Sequence, residues 1–145
     1  LSMPAFLQPD RPWELLLVLV TVWMADTGAY FTGKLWGKHK ITPSISPGKS
    51  LEGYIGGLAA AVVAAGLFAS LVLPDRNLGF GLLVGVTLGT LGTLGDLFES
   101  ILKRGAGVKD SSNLIPGHGG VLDRIDSILF AFPGYYLLSI CVFKP

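Results

Sequence analysis

A run of 20 residues without a charged side chain, from Tyr54 to Leu73, is the feature that most restricts what this chain can fold into. About 20 apolar residues are needed for a helix to cross the hydrocarbon core of a bilayer. The rest of the chain has a similar character, since 50% of its residues are hydrophobic, only 14% are charged and the mean hydropathy is +0.59. These values are too apolar for an ordinary soluble domain and predict an integral membrane protein.

Three further segments are long and apolar enough to cross a bilayer. They are Trp13 to Phe31, Leu78 to Leu97, and Ser127 to Phe143, the last of which extends backwards through Asp126 and Asp123. We therefore predict an all-α fold, in which residues 1–145 form a single transmembrane domain. This domain is a polytopic bundle of about four spanning helices with two cytosolic loops.

Lysine and arginine are concentrated around the two segments that join the first span to the second and the third span to the fourth. Both segments, Lys34 to Gly53 and Gly105 to Gly120, contain proline and glycine and lack a sustained apolar period, which predicts loops. Cytoplasmic loops carry an excess of lysine and arginine, whereas the remaining connection, Pro74 to Asn77, has one acidic and one basic residue. We expect both long loops in the cytoplasm and both ends of the chain on the opposite side.

Four glycines of the third span, Gly81, Gly85, Gly89 and Gly92, recur every three or four residues. Small residues at this spacing let membrane helices pack closely, within one chain or in a homodimer. The same helix face continues to Asp96, which predicts that this carboxylate points into the protein. The alternative is that Asp96 lies at a helix end and reaches the membrane interface.

Asp123 and Asp126 share the first turn of the last helix if that helix begins near Val121. Two neighbouring carboxylates repel each other, and a bound cation relieves the repulsion. Oxygen ligands favour Mg²⁺ or a similar hard ion over zinc, and Asp96 is the natural third ligand. The alternative is that Asp123 caps the helix and that Arg124 is its solvated neighbour.

Asp26 is a further candidate, because charged residues in or beside membrane spans are costly and usually functional. Two interpretations stay open for it. Asp26 either lines the same cavity as the other carboxylates or caps a helical break at Thr27 and Gly28.

Basic side chains near these carboxylates provide donors for phosphate oxygens. Lys49 and Ser50 supply them from the first loop, although G-K-S lacks the glycine that a phosphate loop requires at the position of Pro43. His118 lies among glycines that permit close approach of a ligand, and it would act as a base, hold a phosphate or only form a turn. His39 is expected to be solvated. The other basic candidates are Lys103, Arg104, Lys109 and Arg124. A metal site beside such a basic cavity suits chemistry on a phosphorylated substrate.

The segment from Ser100 to Asp126 contains, in order, a serine, Lys-Arg, Lys-Asp, His-Gly-Gly and Asp-Arg-x-Asp. This pattern resembles the signature of the phosphatidate cytidylyltransferase family, also called CDP-diacylglycerol synthases. The sequence S-P-G-K-S-L-E-G, from Ser46 to Gly53, resembles a second family segment, and the surroundings of Asp26 and Asp96 also fit. Members of the family are much longer polytopic membrane enzymes. The likeness therefore implies that residues 1–145 are the C-terminal catalytic part of a longer enzyme.

The resemblance implies that CTP and phosphatidate react to give CDP-diacylglycerol and pyrophosphate, in phospholipid biosynthesis. A phosphate oxygen of phosphatidate would attack the α-phosphorus of CTP, with one or two Mg²⁺ ions as cofactor. The implied location is the cell (inner) membrane, with the active site facing the cytoplasm and with no nucleic acid as a partner.

The resemblance also implies roles for individual residues. The metal ligands would be Asp96, Asp123 and Asp126. The phosphates of CTP or of the lipid would contact Lys103, Arg104, Lys109, Arg124 and His118. The first loop would close the site through Ser46, Lys49 and Ser50. Asp110 would position Lys109 or join the metal shell, and Asp26 would contribute to substrate binding.

Other functions fit the same residues less well. A membrane enzyme of the CDP-archaeol synthase type, or a lipid kinase, would use similar headgroup chemistry. A cation-coupled or proton-coupled transporter also places carboxylates within its spans, but near the middle of the membrane. The acidic residues here cluster at one predicted membrane face beside the basic loops, which disfavours transport.

Overall fold

The computed structural model of the chain describes residues 12–44, 46–73, 76–107 and 122–142, and at residues 122–126 and 142 it describes the backbone alone. The helices in these ranges are α1, Pro12–Trp36; α2, Leu51–Val72; α3, Leu78–Gly105; and α4, Leu122–Val142. Each coincides with a predicted span, so the all-α polytopic fold is confirmed. The first three are long and apolar enough to cross a membrane, and the described apolar part of α4 is Ser127–Cys141.

The predicted loop between α1 and α2 contains a β-hairpin that the sequence did not indicate. Its antiparallel strands are β1, Lys40–Thr42, and β2, Ser46–Ser50, with Lys40 opposite Ser50. Proline and glycine disfavour strands, which is why S-P-G-K-S was expected to be irregular. Strand β2 leads directly into α2, where the Ser50 hydroxyl accepts the backbone N–H of Gly53 at 3.1 Å and caps the helix.

Helices α1 and α2 pack through small residues on both sides. A Cβ atom built on Gly57 would lie 2.7 Å from the carbonyl oxygen of Ala25, and one built on Gly28 would lie 2.6 Å from Ala60 Cβ. The buried face of α2 includes small residues four positions apart, namely Gly53, Gly57, Ala61, Ala65 and Ala69. The two backbones approach closely because these positions carry no larger side chain.

The glycine stripe of α3 packs inside the bundle. A Cβ on Gly81 would lie 2.5 Å from the carbonyl oxygen of Ala65, and one on Gly85 would lie 2.5 Å from Val62 Cα, both in α2. Gly92 instead faces α4, with Ser127 Cβ 3.7 Å from the Cβ position. These glycines therefore pack helices within one chain, and the homodimer through glycine-rich helix faces stays a prediction.

The apolar core fills the half of the bundle that lies towards the connection between α2 and α3. Leu17 and Val22 of α1 pack there with Val84 and Leu88 of α3 and with Tyr135 of α4, all of them buried. The half at the hairpin end contains smaller and more polar side chains. This difference leaves room for a cavity between the helices and the hairpin.

Candidate active site

A cavity of about 340 Å³ lies at the hairpin end of the bundle. All four helices and the hairpin contribute to its wall, which joins residues as distant in the sequence as Ala25 and Ser127. The polar lining residues are Asp26, Tyr30, Lys49, Ser50, Tyr54, Thr93, Asp96 and Ser127. The remaining wall is formed by glycine, alanine and one isoleucine, so it offers little steric obstruction to a ligand.

An ion pair crosses this cavity from the hairpin to α3. Lys49 Nζ lies 2.6 Å from Asp96 Oδ2, and the side chains are 18% and 43% exposed, respectively. Asp96 thus faces a polar cavity rather than lipid, on the same side of α3 as its glycines. The pair brings together two residues that the sequence assigned to one site, Lys49 from the first loop and Asp96 from the third span.

Asp26 lines the same cavity from α1. The alternative role, capping a helical break at Thr27 and Gly28, is wrong because α1 continues without interruption from Pro12 to Trp36. Gly28 serves close packing against α2, and the Thr27 hydroxyl donates to the carbonyl of Trp23 at 2.7 Å. Two carboxylates, from α1 and α3, therefore border one cavity.

The position of Lys49 depends on how the hairpin is attached to α2. The Glu52 carboxylate accepts the backbone N–H groups of Lys38 and His39 at 3.1 and 3.2 Å. Its Oε1 also lies 2.6 Å from Nδ1 of the His39 ring, which stays 78% exposed, so His39 is solvated as expected and in addition contacts Glu52. The N–H of Leu51 donates to the carbonyl of His39 at 2.8 Å. The start of α2 therefore fixes the start of the hairpin.

Ser50 is nearly buried beneath the hairpin, with an exposed fraction of 3%. Its hydroxyl fits between glycines, since a Cβ on Gly37 would lie 2.6 Å from Ser50 Oγ and one on Gly33 would lie 3.4 Å from it. Ser50, Gly53 and Tyr54 also line the cavity, so the first turn of α2 borders it. A helix N-terminus carries a partial positive charge, which favours an anion at this wall.

Helix α4 reaches the cavity through Ser127. The helix begins at Leu122, close to the predicted start near Val121. Position 123 precedes Ser127 by four residues, or about one helical turn, and lies on the same helix face. The side chains of Asp123, Arg124 and Asp126 lie outside the described part of the structure, as do residues Lys109, Asp110 and His118.

A sequence profile described as the Cytidylyltransferase family matches residues 7–142 of the chain. The chain belongs to this family. Among similar proteins, the phosphatidate cytidylyltransferase of Haemophilus influenzae (strain ATCC 51907 / DSM 11121 / KW20 / Rd) is 53% identical over 123 residues, which cover 82% of this chain and 43% of that protein. That of Staphylococcus aureus (strain COL) is 48% identical over 128 residues, covering 87% and 48%. That of Bacillus subtilis (strain 168) is 51% identical over 122 residues, covering 82% and 44%. The chain thus spans less than half the length of these relatives.

Three predicted site residues of this cytidylyltransferase family member do not line the described cavity. Lys103 lies 3.5 Å from Glu99 of the preceding turn of α3, and Arg104 is exposed at the end of that helix. Ser46 lies at the far end of β2, opposite Thr42. Their substrate contacts stay predictions.

Four polar lining residues were not foreseen, namely Tyr30, Tyr54, Thr93 and Ser127. Helical spacing could have found three of them, since Tyr30 follows Asp26 by four residues, Thr93 precedes Asp96 by three, and Tyr54 follows Ser50 by four. Ser127 could have been found in the same way from Asp123. Each of these residues carries a hydroxyl group, which can both donate and accept a hydrogen bond.

The donor chemistry of the cavity fits a hard divalent cation. Asp26 and Asp96 provide carboxylate oxygens and Ser127 provides a hydroxyl, whereas no histidine or cysteine lines the cavity within the described residues. Oxygen-only surroundings are typical of Mg²⁺. The described residues contain no group of three acidic, histidine or cysteine side chains suited to a metal, and the side chains of Asp123 and Asp126 lie outside the residues searched.

Proposed function

We propose that this chain forms the catalytic part of an enzyme that transfers the cytidylyl group of CTP to phosphatidate, giving CDP-diacylglycerol and pyrophosphate. The observation that carries the proposal is the convergence of Lys49, Asp26 and Asp96 on one cavity at the end of a membrane helix bundle. The proposal is further supported by the three relatives described above, which bear the name phosphatidate cytidylyltransferase. CTP and phosphatidate are therefore the proposed substrates.

The chemistry requires in-line displacement at the α-phosphorus of CTP. A phosphate oxygen of phosphatidate forms a new bond to that phosphorus, the bond from it to the bridging oxygen breaks, and pyrophosphate leaves with the electron pair. The attacking oxygen already carries negative charge, so no strong general base is needed. The work of the protein is to bring two polyanions together and to neutralise their charge.

Lys49 is the basic residue best placed for this task among those that the structure describes. It projects from β2 into the cavity, next to the N-terminal turn of α2, and both features favour phosphate oxygens. Tyr54, Thr93 and Ser127 would orient the ligand by hydrogen bonds. Lys103, Arg104, Lys109, Arg124 and His118 stay proposed as further phosphate contacts, with Ser46 and Ser50 on the hairpin side and Asp110 beside Lys109.

Asp96, Asp123 and Asp126 are proposed to hold one or two Mg²⁺ ions. Such ions would supply positive charge to neutralise the phosphate oxygens. The need for them follows from charge, because Asp26 and Asp96 border a cavity that is proposed to accept the triphosphate of CTP. Without positive charge in addition to Lys49, those carboxylates would repel the substrate.

We place the reaction at the cytoplasmic face of the cell (inner) membrane, within phospholipid biosynthesis. Phosphatidate keeps its acyl chains in the bilayer while CTP arrives from water, so their phosphates must meet at headgroup level. The cavity lies at the helix ends that also carry Lys34, Lys38 and Lys40, and an excess of lysine is typical of cytoplasmic loops.

The direct test supplies full-length protein in detergent with radiolabelled CTP, phosphatidate and Mg²⁺. We expect CDP-diacylglycerol and pyrophosphate from the wild type, and rates lower by about a hundredfold or more in Asp96→Asn and Asp123→Asn. The control is Thr27→Val, which alters an exposed residue beside Asp26 and should keep the wild-type rate.

Two results would count against the proposal. One is absence of any CDP-lipid from the wild type, and the other is full activity of both aspartate variants. An ether-linked lipid phosphate accepted in place of phosphatidate would favour an enzyme of the CDP-archaeol synthase type.

A further inference from the structure

The contact between Lys49 and Asp96 is close and shielded from water. Their charged atoms are 2.6 Å apart, and Lys49 Nζ is inaccessible to solvent. An ammonium has three N–H groups, so those not directed at Asp96 keep their capacity to donate. Buried N–H groups without an acceptor are costly, and an incoming phosphate oxygen would satisfy them.

The two partners differ in how far they can move. Asp96 belongs to the interior of α3, where Gly92 and Gly95 on its packed side are buried. Lys49 ends a flexible four-carbon stem that starts from an exterior hairpin. The lysine can therefore leave the carboxylate without a change in the helix bundle.

We infer that the Lys49 ammonium occupies the cation position beside Asp96 in the substrate-free enzyme, and that ligand binding exchanges the partners of both residues. In the exchange, a divalent cation takes the place of the ammonium at Asp96, and Lys49 turns to a phosphate oxygen. Each charge keeps an opposite charge beside it throughout, which avoids the cost of an uncompensated charge near the membrane. This inference rests on the proposed role of Asp96 as a metal ligand.

The exchange makes the binding of cation and anion mutually dependent. A cation that binds alone at Asp96 takes the carboxylate that Lys49 contacts, whereas a cation that binds together with a phosphate gives Lys49 a new anionic partner. By thermodynamic linkage, each ligand then increases the affinity of the protein for the other. The substrate-free site would thus hold divalent cations weakly.

The test measures Mn²⁺ binding to full-length, substrate-free protein by electron paramagnetic resonance. Loss of a neighbouring positive charge raises the affinity of a carboxylate for a cation by about tenfold or more. The Lys49→Met variant should therefore bind Mn²⁺ about tenfold more tightly than the wild type. Lys40→Met is the matched control, because it removes the same charge from an exposed position of the same hairpin. Its Mn²⁺ affinity should stay close to that of the wild type.

Further variants localise the effect. The gain should disappear in the double variant Lys49→Met/Asp96→Asn, and Lys49→Arg, which keeps the positive charge, should bind Mn²⁺ as weakly as the wild type. Lys49→Gln provides a polar replacement if the methionine variant does not fold.

An unchanged or reduced Mn²⁺ affinity in the folded Lys49→Met or Lys49→Gln variant would overturn the inference, as would a gain that survives the loss of Asp96. Because no CTP or lipid is present, failure of the proposed reaction is a separate result. If the wild type makes CDP-diacylglycerol but the Lys49 variants bind Mn²⁺ with the wild-type affinity, the exchange alone is refuted.

Discussion

Glu52 Oε1 lies 2.6 Å from Nδ1 of His39, and this contact ties the approach to strand β1 to the first turn of α2. The same carboxylate accepts two backbone N–H groups, from Lys38 and His39. Glu52 also lies at a helix N-terminus, where a negative charge is stabilised by the helix dipole. One side chain thus holds the hairpin over the cavity and sets where Lys49 enters it.

Replacement of Glu52 by alanine should loosen this hairpin. The amides of Lys38 and His39 lose their acceptor, so we expect faster hydrogen exchange across residues 38–50 and a higher KM for CTP, with little change in the helices. The matched control is His39→Ala, which removes the ring contact but keeps the backbone hydrogen bonds, and its effect should be smaller. Equal exchange rates in wild type and Glu52→Ala would show that the hairpin is held by other contacts.

The helices were predictable from the sequence because membrane insertion imposes a long apolar run on each of them. Tyr54 to Leu73 defines α2 to within a few residues, and the glycine stripe of α3 indicated a packed face before any contact was known. Asp96 follows from that stripe by helical periodicity alone. These features depend on the local residue pattern and on the length needed to cross a bilayer, and both can be recognised in a single sequence.

The hairpin and the pairing of Lys49 with Asp96 were not predictable in the same way. Strands as short as β1 depend on contacts from outside the hairpin, here those of Glu52, more than on the propensity of their own residues. The partner of Lys49 lies 47 residues further along the chain, on a helix whose position beside the hairpin depends on the packing of α2 and α3. The sequence indicated both residues as site candidates but not their contact.

Gly57 should be among the positions of α2 least tolerant of a larger residue. A Cβ there would lie 2.7 Å from the carbonyl oxygen of Ala25 and 2.9 Å from Ala29 Cβ, so α1 would have to move. We expect Gly57→Ala to lower the free energy of unfolding in detergent by about 1 to 3 kcal/mol and to slow product formation, because Asp26 moves with α1.

The control for Gly57 is Gly105→Ala, since a Cβ at Gly105 meets no atom within 4 Å. Alanine favours helices more than glycine, so this variant should be as stable as the wild type or slightly more stable. A Gly57→Ala protein with an unchanged melting temperature would contradict the close packing of α1 on α2.

Glu14 should stabilise the fold without taking part in the reaction. Its side chain is 2% exposed, and Oε1 lies 3.3 Å from a guanidinium nitrogen of Arg76, at the end of the bundle opposite the cavity. Arg76 also stacks over the ring of Phe80, with 4.8 Å from the guanidinium carbon to the ring centroid. This cluster ties the start of α1 to the start of α3.

We expect Glu14→Gln to lower the free energy of unfolding by about 1 to 3 kcal/mol, because a buried charge-assisted hydrogen bond is weakened. The KM for CTP should stay at the wild-type value, since the cavity lies at the other end of the helices. Thermal unfolding and steady-state kinetics separate the two effects. The double variant Glu14→Gln/Arg76→Gln should lose less stability than the sum of the single variants, and strict additivity would argue against direct coupling.

The orientation of the bundle in the membrane can be determined by labelling single cysteines introduced at its two ends. Lys38 is exposed beside the hairpin, and Gly79 is exposed at the start of α3 near the opposite end. In a protein freed of other cysteines, including Cys141, a membrane-impermeant maleimide should label Lys38→Cys in inside-out vesicles and Gly79→Cys in intact spheroplasts. This pattern follows from the excess of lysine near the hairpin, which favours the cytoplasmic side. The reverse pattern would place the cavity outside the cytoplasm, where CTP is not supplied, and would contradict the proposed reaction at this site.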